Sequence, residues 1–271
     1  MSIFDLHQPT QQTIDVVGLA YALKSAYVEM MDALETAEKA CQQANAAANR
    51  VGVAANLTVA NARREEIAAA FWRKFLESLP VMQVMSLQRR EEEIEGFIYP
   101  HRKSEIYPLR NPNPPDFTVE NMMKRAEELE VQRELFVREW AFDLFERFVH
   151  WGPALEEIVV PKKVIKTVID IYASVPRIGY RHEEEVADLD RFFHFLDGRL
   201  EDFPNDYRKS PLVVAVAEAM QHGNGRGETD YFKFVGYSGN GRLHLTFKRR
   251  DLTSMWEALA REGLIVRMDE N

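Results

Sequence analysis

Cysteine, long apolar runs and positive charge are all scarce in this sequence. Only Cys41 among 271 residues is a cysteine, so no disulfide can form within the chain, and no Cys/His group has zinc-finger spacing. A lone cysteine among alanines reads as a small apolar helix residue and suits a reducing cytoplasm. No segment reaches the roughly 18 apolar residues that a membrane-spanning helix needs. Residues 1–13 lack the basic start and apolar core of a secretory signal. The expectation is a soluble, cytoplasmic protein with no membrane partner. Lys and Arg number 34 against 43 Asp and Glu, a formal net charge of −9. That balance excludes a protein that coats nucleic acid non-specifically over its whole surface, but it leaves room for a local basic patch.

Chemical signatures are sparse as well. No serine or cysteine sits in a nucleophile elbow, and no basic residue adjoins Cys41. Gly223-Asn224-Gly225-Arg226-Gly227 has the look of a phosphate-cradling loop. It precedes a strand pattern, however, and lacks the Lys-Ser/Thr pair of a P-loop, so it reads as a connector. Nothing implies a cofactor or a metal.

What is present is mostly helix. Hydrophobic residues make up 46% of the chain, enough for a sizeable core. Apolar residues at three- and four-residue steps predict helices over 13–50, 61–79, 82–95, 119–149, 161–172, 186–196 and 210–220. The first is long and rich in alanine, and could pair with a copy of itself. Thr118 with Asn121 three residues on is half of a capping box. The paired methionines and Met82 and Met85 read as core filler. Five prolines between 96 and 115 block both helix and central strand, which predicts a connector.

After residue 228 the period changes from helical to alternating. Phe232 and Phe234, then Leu243, Leu245 and Phe247, alternate with polar residues across Ser238-Gly239-Asn240-Gly241, the turn chemistry of a hairpin. A helix over 252–261 follows, ended by Gly263, and 264–268 reads as a last strand. The fold class is therefore α+β, a predominantly helical body with a small C-terminal β-hairpin/helix (ββα) unit. The divisions expected are a helical region to residue 99, a connector over 100–115, a second helical region over 116–222 and the ββα unit over 223–271.

Two stretches carry a resemblance. One is Asp188-Leu189-Asp190-Arg191-Phe192-Phe193-His194-Phe195-Leu196-Asp197-Gly198. The other is Tyr231-Phe232-Lys233-Phe234 with the turn Gly239-Asn240-Gly241-Arg242-Leu243-His244 and Arg250-Asp251-Leu252 behind it. Together they resemble the uncharacterised family catalogued as domain of unknown function 4942, and the similarity runs over about residues 65–260. The resemblance implies a phage, plasmid or genomic-island setting, sometimes beside DNA methyltransferases. It implies no reaction and no catalytic residues.

Two constellations are candidates for function. If the hairpin's apolar residues face a core, Lys233, Arg242, His244, Thr246 and Lys248 face outward, with Tyr231 and Tyr237 beside them and Arg249 and Arg250 beyond the strand. Cations interleaved with aromatics suit phosphates and stacked bases of DNA or RNA. The ordinary alternative is a solvated sheet face with lysines guarding an edge. The second constellation is Asp190, His194 and Asp197, which share a helix face. With His244 they would form an acid–base site of an enzyme acting on nucleic acid or nucleotides. The ordinary alternative is a polar flank of a buried helix. Acidic runs such as Glu91-Glu92-Glu93 and Glu183-Glu184-Glu185 admit a third reading, a decoy that imitates phosphates for a host defence protein. Solvated helix faces explain them equally. The leading expectation is a non-enzymatic accessory protein that binds nucleic acid, or a protein associated with it, through the hairpin.

Overall fold

The computed structural model of the chain describes residues 15–50, 64–100, 113–149, 158–172, 175–180 and 182–269. The chain folds as two compact units. The first comprises residues 11–83 and 88–131; the second comprises 84–87 and 132–271. Most of the proline-rich connector lies outside the described residues.

The first unit is helical. It contains α1 (Val16–Arg50), α2 (Arg64–Glu77), α3 (Leu87–Ile98) and α4 (Val119–Val131). Its core is aromatic: the Trp72 ring lies edge-on to Phe75, Phe97 and Phe117. The Trp72 indole N–H donates to the Pro115 carbonyl at 2.8 Å, so burial of this large ring leaves no donor unsatisfied. Thr118 caps α4 as its sequence signature predicts, accepting from the Asn121 amide at 3.2 Å. Met82 and Met122 here, and Met85 in the second unit, are fully buried, the core role expected of them. Met31 and Met123 are half-buried. Met30 is exposed on α1, which corrects the expectation for it, since the apolar stripe of that helix is too narrow to cover both members of the pair. Along the 35 residues of α1 only Ala20 and Leu34 are buried, which matches its narrow apolar stripe.

The second unit mixes helix and sheet. Its elements are α5 (Arg133–Phe148), β1 (Lys163–Thr167), β2 (Ile169–Tyr172), β3 (Val175–Ile178), α6 (Glu183–Leu196), α7 (Pro211–His222), β4 (Arg226–Glu228), β5 (Phe232–Tyr237), β6 (Arg242–Phe247) and α8 (Arg250–Asp269). One sheet has the order β1-β6-β5-β4, all antiparallel, and β2 with β3 forms a separate ribbon. The hairpin expected at Asn240-Gly241 is β5–β6. Gly241 takes φ +68°, where a side chain would be strained. Asn240 Oδ1 accepts from the Arg242 amide at 3.1 Å, an Asx contact that sets the turn.

Helix α6 lies at the centre of this core. Residues 186–196 are all buried, so the helix is covered all round rather than on one stripe. Phe193 stacks parallel on Phe247 of β6 at 5.4 Å and meets Trp256 of α8 edge-on at 5.9 Å. Trp256 in turn donates its indole N–H to the Ala141 carbonyl of α5 at 2.8 Å. A phenylalanine truncated here would cost about 3–5 kcal/mol.

The structure corrects four expectations. Residues 161–172 are not a helix: after Pro161 they form β1 and β2. Val164, Ile165, Thr167, Val168, Ile169 and Ile171 are β-branched, which favours strand when a partner edge is available, and β6 supplies that edge. Residues 264–268 are not a strand, because α8 continues to Asp269. Gly263 therefore does not end α8. A Cβ there would fall 2.4 Å from the Arg138 carbonyl oxygen, so the glycine lets α8 approach α5 closely. The helix expected over 119–149 breaks at Gln132, dividing α4 from α5. Finally, the glycine-rich connector ends in a strand, since Arg226–Glu228 pairs with β5.

Candidate functional site

The sheet has two unlike faces, and pleat alternation assigns each side chain to one of them. Val164, Phe234, Leu243, Leu245 and Phe247 are buried on the face toward α6. The opposite face follows from the register. Lys163, Thr246, Lys233 and Glu228 form one row across the four strands; Ile165, His244, Val235 and Arg226 form the next; Thr167, Arg242 and Tyr237 form the third. Every one of these residues is exposed or half-exposed. Of the hairpin cations expected to bind phosphate, Lys233, Arg242 and His244 lie on this face. Lys163, Ile165, Thr167 and Arg226 belong to it as well. Sequence reasoning missed them because β1 was read as helix and β4 as loop.

Charge on this face is unevenly neutralised. Lys233 has Glu228 at 3.9 Å, and Lys248 has the same carboxylate at 3.8 Å. Among the described residues no carboxylate lies within ion-pair distance of Lys163, Arg226 or Arg242. In an acidic chain these cations mark a local positive field. The His244 ring lies 4.7 Å from the Tyr237 ring, and its Nδ1 is shut from solvent without a hydrogen-bond partner. Its pKa is lowered, first by burial and then by the cations Lys163 and Arg242. The imidazole presents an aromatic surface beside Tyr237. A cleft of about 440 Å³ opens beside β1, lined by Phe148, Pro161, Lys163, Ile165, Thr167 and Arg242.

The remaining predicted cations lie past the end of β6. The Lys248 ammonium donates to the Thr229 carbonyl at 2.7 Å. Arg249 is held between Asp197 at 3.1 Å and Asp251 at 2.6 Å. Arg250 is exposed at the start of α8. Tyr231, expected on the outer face, is instead buried. It precedes β5, and its hydroxyl donates to Asp197 at 3.1 Å.

The second constellation divides. Asp190 and His194 are buried on α6. Asp190 Oδ2 accepts from the Ser210 hydroxyl at 2.7 Å and from the Leu212 amide at 3.0 Å, so this carboxylate ties α6 to the first turn of α7. Its pKa is raised, chiefly by burial. His194 Nδ1 lies 2.9 Å from the Asp190 carbonyl oxygen and 3.8 Å from its carboxylate, and its ring packs edge-on against Tyr231 and Phe203. Asp197 ends α6 and holds Tyr231 and Arg249. His244 faces away from all three, because it alternates with Leu243 and Leu245. No group of three or more His, Cys, Asp or Glu suited to a metal occurs among the described residues. The acidic runs are partly spent in ion pairs: Glu91 with Arg73 at 3.1 Å, and Glu93 with Arg89 at 2.9 Å and Arg125 at 2.8 Å.

No helix among the described residues is long and apolar enough to cross a membrane. No curated protein and no solved structure matches the chain. The model of one family, described as a domain of unknown function (DUF4942), matches residues 64–262.

Proposed function

Because the chain belongs to the DUF4942 family, which brings no reaction with it, we propose from the site that it is a non-enzymatic protein that binds nucleic acid, and from its composition and the setting its family resemblance implies that it is a cytoplasmic accessory protein of a phage or mobile element. The binding surface is the outer face of the β1-β6-β5-β4 sheet. One observation carries this reading: in a chain of net charge −9, Lys163, Arg226 and Arg242 stand on one open face with no carboxylate partner among the described residues, around the exposed Tyr237 and the half-buried His244 ring beside it. Cations engage phosphates, and aromatic faces receive bases. The acid–base reading has less support, since Asp190 and His194 are buried and His244 faces the other way. Anisotropy titration of labelled DNA and RNA tests the proposal. Affinity should fall as salt rises, and Arg242→Ala should weaken binding about fivefold or more. Binding that is insensitive to both would refute it.

A further inference from the structure

The shape of the outer face bears on which form of nucleic acid it takes. Three inter-strand spacings of about 4.8 Å put the outer strands about 14 Å apart, before side chains are added. The major groove of DNA is about 12 Å wide and the minor groove about 6 Å. A helix or a two-stranded ribbon enters such a groove; a four-stranded face does not. A duplex could therefore meet this sheet only along its backbone, which would leave Tyr237 and His244 without bases to stack on. Splayed single-stranded bases face no such barrier.

The cleft beside β1 adds a second, independent feature. Its volume of about 440 Å³ falls within the range of about 300–1,000 Å³ typical of small-molecule pockets. Its lining is amphipathic: five residues, Phe148 and Val164 among them, are apolar, while Lys163, Thr167 and Arg242 are polar. Lys163, Ile165, Thr167 and Arg242 also belong to the outer face, so face and cleft are continuous. An apolar wall beside two cations that have no carboxylate partner among the described residues fits a base with its attached phosphate.

Resting on the nucleic-acid reading above, we propose that the ligand is a single strand, with bases stacked on Tyr237 and His244 and one further base seated in the cleft, its phosphate held by Lys163 and Arg242. The occupant is a polynucleotide rather than a free nucleotide, because the cations Lys233 and Arg226 continue the face beyond the cleft's reach.

The test is anisotropy titration of the full chain with a labelled 12-nucleotide single strand, the matching duplex, and the same strand with abasic sites in place of bases. The single strand should bind at least about tenfold more tightly than the duplex or the abasic strand, the order expected for base stacking. Thr167→Trp fills the cleft from an exposed position and should weaken the single strand about tenfold while leaving the melting temperature unchanged. Duplex or abasic strand bound as tightly as the single strand would overturn the inference and leave the nucleic-acid reading standing. So would a folded Thr167→Trp with unchanged affinity. The unmodified chain decides the matter through the first three ligands even if that variant fails to fold. No binding to any of the three would overturn both.

Discussion

Helix α6 and the outer face of the β1-β6-β5-β4 sheet carry the same residue types, histidine, carboxylate and arginine, yet put them to opposite uses. On α6 the polar side chains within residues 186–196 are buried and bound to backbone or to neighbouring side chains. Arg191 donates to the Met85 carbonyl at 2.9 Å and lies over the Trp140 ring at 4.7 Å. Its neighbour Asp188 accepts from the Leu87 amide at 3.3 Å. Such groups fix how elements meet, and removing one strands its partner without water. On the sheet face the cations are exposed, and three of them have no carboxylate partner among the described residues. They contribute little to stability and are available to a ligand. A residue's type thus says less than its burial about whether it supports the fold or meets a partner.

The comparison can be broken most severely at Asp190. Asp190→Ala leaves the Ser210 hydroxyl and the Leu212 amide unsatisfied in the core, and should cost about 3–5 kcal/mol of stability in chemical denaturation. If that variant lost less than about 1 kcal/mol, the view of α6 as a structural network would fail.

The next effect is on pH. Burial pushes the Asp188 carboxyl up to about 6 from its ordinary 3.8, against the opposing pull of Arg191. An acid whose folded pKa is raised binds its proton more tightly in the native state. Stability from this group therefore falls as pH rises from about 4 through 6, by about 3 kcal/mol at most. Asp188→Asn lacks that titration. Its stability relative to the unmodified chain should improve as pH goes from 4 to 7, a difference read from denaturation curves at the two pH values. A difference independent of pH would contradict the assignment.

Gly263→Ala sharpens the contrast from the packing side. Its Cβ would meet the Arg138 carbonyl, so α8 must shift from α5 at a cost of about 1–3 kcal/mol. The same substitution at Gly239, where a Cβ meets nothing within 4 Å, should change the melting temperature little. The smallest stability change is expected on the outer face. Lys163→Ala with Arg242→Ala should alter stability by no more than about 0.5 kcal/mol.

How much of this was legible in the sequence depends on where the information lay. The β5–β6 hairpin was readable because its period of two and its Asn240-Gly241 turn are local signals. The cap at Thr118 was readable for the same reason. Methionine marked core at Met82, Met85 and Met122 but not at Met30, which is exposed. β1 was not, because Lys163–Thr167 carries no turn signal of its own and becomes a strand by pairing with β6, some eighty residues later in the chain. That one misreading concealed Lys163, Ile165 and Thr167, and with them the cleft. Asp190 and His194 were correctly placed on one helix face, but helical spacing cannot report that all faces of α6 are covered. Gly263 marks a close approach instead of a helix end, and only the position of α5 distinguishes the two.

Nucleic-acid binding by the outer sheet face is the proposal on which the rest depends. The most direct measurement is the salt dependence of single-strand binding for the unmodified chain and for the Lys163→Ala, Arg242→Ala double variant, both monitored for folding by circular dichroism. The account predicts that log Kd rises linearly with log salt, and that the double variant binds at least about tenfold more weakly with a slope reduced by about 0.7 per lost phosphate contact. A folded double variant with the affinity and slope of the unmodified chain would contradict it.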